Sequence, residues 1–123
     1  MNESPAEEAG ARTRMLLIET HSPWESGDVH DFLELTRAML DTGLVVQLHL
    51  IQNGVIWLRG KAVEALAHLR EQFAQSFHVT VDDLSLDLRG LTRSAAAGLG
   101  SVAHIDELVA LMADPAVKTI WHS

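Results

Sequence analysis

The feature that most constrains this sequence is an alternation of two periodicities. Between Met15 and His122, apolar runs of strand length take turns with longer stretches whose apolar residues recur every three or four positions. "MLLIE" (Met15 to Glu19) is a compact apolar run and suits a strand buried on both faces. "DVHDFLELTRAMLDTG" then places Val29, Phe32, Leu33, Thr36, Met39 and Leu40 on one helical face. Asp28 stands where an N-cap should be, and Gly43 where a glycine ends a helix. "LVVQLHLI" (Leu44 to Ile51) is a second strand, with Val46, Leu48 and Leu50 on one face and Val45, Gln47, His49 and Ile51 on the other. The partly polar second face hints at a subunit contact or a water-filled seam.

"QNG" (Gln52 to Gly54) reads as a turn, followed by the short apolar stretch "VIWLRG". A second amphipathic helix runs from Lys61 to about Ser76, and "FHVTV" (Phe77 to Val81) is a third strand. From Leu84 to Gly100 the pattern weakens to one or two short helical turns, with Thr92 placed to cap the second. A short strand falls near Ser101 to Ala103. Ile105, Leu108, Val109 and Met112 define a last helix, with Asp106 and Glu107 in the first turn where acids suit the dipole. "VKTIWH" (Val117 to His122) is the final strand.

Strand–helix–strand repeats with loops this short require right-handed crossovers and a parallel sheet with helices on both faces. A chain of 123 residues is enough for one domain, which buries about two-thirds of its unfolded surface. Residues 1–13, acidic and rich in Ala and Glu, read as a disordered leader, and residues 14–123 as a single α/β domain. The leader has no apolar segment of signal-peptide type, and no run approaches membrane-spanning length, so a cytoplasmic location is expected. The net charge of −8, from 17 acidic and 9 basic residues, argues against nucleic acid and against an anionic membrane surface as partners. There is no cysteine, which excludes disulfides, thiolate nucleophiles and thiolate metal sites within this chain.

In open parallel sheets, ligands bind beyond the carboxyl ends of the strands. That rule gathers Glu19, Thr20 and His21 from the first strand, Gln52 and Asn53 from the second, Asp82 and Asp83 from the third, and Trp121 and His122 from the last. Glu19, His21, Trp24, Asn53, Asp82, Asp83 and His122 are therefore the candidate ligand-binding residues. Each has a plainer role: Asp82 and Asp83 suit turn capping, Asn53 suits a turn, and Glu19 suits loop amides. A His–carboxylate acid–base pair can be built from the same set. No close-spaced ligand pair such as HxH or HxxxH supports a metal, and no cofactor is expected. Neither GxGxxG, GxxxxGK[ST] nor GxSxG occurs.

With these elements in order, the chain resembles the DsrE/DsrF-like family of small sulfur-relay proteins. The resemblance rests on "LLIETHSPWESGDVHDFLELTRAML", "LHLIQNGVIWLR", "VTVDDLSLDLRGL" and "IDELVALMADPAVKTIWH", and covers nearly everything after the leader. It implies a three-layer α/β/α sandwich with a mainly parallel five-stranded sheet, and assembly into trimers or hexamers. Sulfur-carrying members hold a persulfide on a cysteine in the loop after the third strand. Here that region carries Thr80, Asp82, Asp83 and Ser85, none of which can form one. The expectation is a non-catalytic, oligomeric binding or accessory protein. The alternatives are a small-molecule enzyme using a His–carboxylate pair, or a docking subunit for a cysteine-bearing sulfurtransferase among the sulfur-relay proteins. Trp24 and Trp57, in loop-like segments, fit either a subunit interface or covers for the sheet ends.

Overall fold

The computed structural model describes residues 14–25, 29–96 and 98–122. Five strands form one sheet: β1 (Arg14–Glu19), β2 (Val45–Leu50), β3 (Phe77–Asp82), β4 (Ser101–Ala103) and β5 (Val117–His122). Their order is β4-β3-β2-β1-β5, and every adjacent pair is parallel. The helices are α1 (Val29–Asp41), α2 (Gly60–Gln72), α3 (Asp83–Leu88) and α4 (Ile105–Ala113). Two 3₁₀ segments, Gln52–Leu58 and Arg93–Ala96, complete the connections.

The strand order explains where the helices lie. The chain steps outward from β1 to β4, then returns past three strands to lay β5 on the free side of β1. Right-handed crossovers put the outward connections on one face and the return connection on the other. Face one is thus closed by α1, α2 and the first 3₁₀ segment, whose Phe32, Trp57 and Leu66 pack on Met15, Leu17, Leu48 and Val79. Among the described residues, face two is covered by α4 alone, and its core is small: Leu16, Ile18 and Leu108, flanked by Ile51, Leu111 and Val117.

Local chemistry matches several expected boundaries. Gly43 adopts φ 88°, Gly43 N–H donates to Leu40 O (3.0 Å) and Leu44 N–H to Met39 O (3.3 Å). That is the paired 5→2 and 6→1 closure of a glycine-ended helix. α4 begins with a reciprocal capping box, in which His104 Nδ1 accepts from Asp106 N and Glu107 Oε2 accepts from His104 N.

Three expectations need correction. Gln52–Gly54 is not an isolated turn but opens a seven-residue 3₁₀ helix. Gln52 carries a positive φ of 56°. Trp57 lies in that helix and is 1% exposed, so it offers no subunit interface; of its two expected roles it takes the other, covering the sheet end, where its Nε1 donates to His21 O. α2 stops at Gln72, four residues short of Ser76, where Phe73 leaves the helical range at φ −122° and ψ 46°. Asp28 and the 1–13 leader lie outside the described residues. Among the described residues, no helix is long and apolar enough to cross a membrane.

Candidate functional site

β1 and β5 lie side by side at the point where the chain's direction across the sheet reverses. The register pairs Glu19 with His122 as the last residues of the two strands, so their side chains emerge together on face one. His122 Nδ1 lies 2.5 Å from Glu19 Oε2. Glu19 is 1% exposed, while the His122 side chain keeps 20% of its surface.

The aromatic residues of face one hold the imidazole. Phe32 stacks on His122 with centroids 5.1 Å apart and planes at 27°, and meets Trp57 edge-on at 5.0 Å and 76°. Trp57 Nε1 in turn donates to His21 O (3.0 Å), fixing the loop that follows β1. Gly54 presses against the backbone of Glu19 itself: a Cβ there would lie 2.0 Å from Glu19 O. Ile51 N–H donates to that same oxygen at 3.1 Å. The ends of β1 and β2 are thereby locked together.

Burial pushes the Glu19 carboxyl above the usual carboxylate range, against the opposing pull of His122, its hydrogen bond, and the charge and backbone N–H of His21. With the imidazole neutral, the pair has two arrangements. With Glu19 ionised, it accepts the Nδ1–H of His122 and leaves the Nε2 lone pair as a base. With Glu19 protonated, it donates to Nδ1 and Nε2 carries the hydrogen. In both cases the carboxyl fixes the tautomer and Nε2 is the position left to a ligand.

The remaining candidates part company. His21 Nδ1 lies 3.3 Å from Thr20 Oγ1, its neighbour in the chain. Trp24 is exposed and sits over Gly60. Asn53 bridges Glu25 Oε1 (2.8 Å) and Arg89 Nε (3.0 Å), tying the first loop to α3. Asp82 is buried but spent on the α3 N-cap, accepting from Ser85 N (2.9 Å) and Ser85 Oγ (2.6 Å). Ser85 Oγ also accepts from Gln52 N (2.8 Å). Asp83 accepts from Leu84 N (2.6 Å). The edge thus divides into a Glu19–His122 pair and a separate capping network. Phe32 and Trp57 escaped the sequence reading as members of the site, because an apolar helix residue and an apolar run signal only core. Among the described residues, no group of three or more His, Asp or Glu is placed to hold a metal ion.

Comparison with solved structures places this architecture beside that of a protein of unknown function, MTH1491, from Methanobacterium thermoautotrophicum. The two share a TM-score of 0.74 at 12% identity, over 89% of this chain and 98% of that one. That likeness is one of fold. No family model and no curated protein matches the chain.

Proposed function

We propose that this chain is a binding or accessory protein on a DsrE/DsrF-like scaffold, whose ligand contacts the Glu19–His122 pair at the β1/β5 reversal. The observation that carries this reading is the pair itself. It joins the first and last strands, is buried on the carboxylate side, and leaves its second imidazole nitrogen for a ligand. Lacking a cysteine, the chain has no atom on which to carry a persulfide, so the scaffold serves recognition rather than sulfur carriage. Assembly of several copies belongs to this reading and is supported by exposed Trp121 on edge strand β5 and by Ile105, Val109 and Met112 along α4. The test follows the imidazole ¹⁵N signals of His122 while small carboxylates, phosphates and amides are titrated in. At least one class should move Nε2 saturably in the native protein and not in Glu19→Gln; a silent His122 counts against the proposal. Native mass spectrometry at micromolar concentration should show an oligomer, and a stable monomer counts against the assembly.

A second reading, favoured by the buried, raised Glu19 set against the His122 imidazole, is acid–base catalysis on a small molecule. It predicts deuterium uptake from D₂O into the α-carbon of a carbonyl compound, lost in Glu19→Gln. A carbonyl panel that takes up no deuterium above background would rule it out for that class of substrate.

A further inference from the structure

Face two of the sheet holds a polar group that the Glu19–His122 pair does not use. His49 is 1% exposed, on β2, opposite Thr80 of β3. Its Nδ1 lies 2.8 Å from Thr80 Oγ1, which also accepts from Gln47 Nε2 at 3.2 Å. Its Nε2 is buried and has no hydrogen-bond partner. The hydrogens can be assigned by counting. Thr80 has one hydroxyl hydrogen and already accepts from Gln47. If that hydrogen goes to His49 Nδ1, both hydrogen bonds of the trio are made and one buried atom is left without a partner, a neutral ring's Nε2–H. The opposite tautomer would turn the Thr80 hydrogen away from the ring and leave the buried Nε2 lone pair without a donor. Burial holds His49 below the usual histidine range, keeping the ring neutral, although Asp82 and Glu107 pull the other way. A buried donor left without an acceptor costs roughly what a lost hydrogen bond does, and calls for an explanation.

The explanation is next to it. His49, Gln47 and Thr80 form one wall of a cleft of about 410 Å³, whose other wall is α4. Glu107 stands in the first turn of that helix and Asp114 at its C-cap, and Ala103, Leu108 and Leu111 supply an apolar floor. Each acid commits one oxygen to the backbone, Glu107 Oε2 to His104 N and Asp114 Oδ1 to Ala116 N, and each still brings its charge. No lysine or arginine lines the cleft.

We propose that this cleft is a second binding site, for a small organic cation bearing a hydroxyl or carbonyl oxygen. The oxygen accepts the His49 Nε2–H, the cation faces Glu107 and Asp114, and the apolar floor covers the carbon skeleton. The site lies on the opposite face of the sheet from the Glu19–His122 pair and stands whether or not that pair binds anything.

The probes are choline and ethanolamine, with acetate as the anionic control, titrated into the ¹⁵N-labelled full chain while its imidazole signals are followed. Either cation should shift the His49 Nε2 signal saturably and leave His122 in place, and acetate should do neither. His49→Phe should fold and lose the binding. Glu107→Gln, which keeps the backbone hydrogen bond at the start of α4, should weaken it about threefold, the scale of a single solvent-facing ion pair. The proposal is overturned if neither cation gives a saturable shift, if acetate moves His49 as far, or if His49→Phe binds undiminished. Should His49→Phe not fold, unchanged affinity in Glu107→Gln overturns it.

Discussion

The two faces of this sheet treat a buried ionisable side chain in opposite ways. On face one, Glu19 is packed under Phe32, Trp57 and the 3₁₀ segment, and its partner His122 can itself carry charge. On face two, His49 lies under one helix, and its only partner is the Thr80 hydroxyl. Burial favours the neutral form of both, raising the acid and lowering the base. The difference comes from topology. Three outward crossovers close face one tightly, and one return crossover leaves a cleft on face two. A tight face can hold a short, two-sided proton pair in place; an open face can hold a donor that waits for a ligand.

The largest expected effect tests the tightness of face one. Gly54→Ala drives a Cβ into the backbone of Glu19 and should cost about 3 kcal/mol, the upper part of the range for overpacking. Chemical denaturation gives the figure. A loss below about 1 kcal/mol would mean that the β1 end yields easily and that Glu19 is not rigidly held.

Next in size is Asp82, which separates burial from function. Like Glu19 it is a buried acid at a strand end, 4% exposed, but its partner is three residues away in its own cap. Asp82→Ala should cost about 1–2 kcal/mol through the lost N-cap and the loosened Ser85–Gln52 contact. It should leave the His122 imidazole signals unchanged. A moved His122 would merge the two networks that the geometry separates.

That contrast also marks what the sequence could tell. The periodicities of Met15–Glu19, Leu44–Ile51 and Val117–His122 disclosed the strands, because alternation and apolar runs are local signals. Gly43 disclosed a helix end for the same reason. The Glu19–His122 contact is non-local: it spans 103 residues and exists only because β5 lands beside β1, which no window of sequence records. Trp57 was misplaced because burial at Gly54, Val55, Trp57 and Leu58 follows a three-residue period, neither 3.6 nor 2. His104 was overlooked as a cap because histidine is not among the usual capping residues. Asp82 and Asp83, by contrast, were legible as turn formers, and each holds a backbone N–H of α3.

The smallest effect at neutral pH is the most telling for the comparison. His49→Phe removes a neutral ring with an unpaired donor, so its stability near pH 7 should lie within about 1 kcal/mol of the native chain. The two faces part when pH is varied. Glu19 has a folded value above its unfolded 4.5, so the folded state binds more protons there, and its contribution is lost as pH rises through the raised value. His49 has a folded value below its unfolded 6.5, so the unfolded state binds more protons, and its contribution is lost as pH falls from 6.5 toward the lowered value. Unfolding free energies are measured at a series of pH values for the native chain, Glu19→Gln and His49→Phe, and each variant is subtracted from the native curve. Taking the difference removes His78, also lowered by partial burial and by Arg70 and Arg14, since it is common to all three proteins. The Glu19 difference should fall with rising pH above 4.5, and the His49 difference should rise with pH up to 6.5. Two difference curves that slope the same way with pH would mean that one face does not bury its ionisable group as the packing requires.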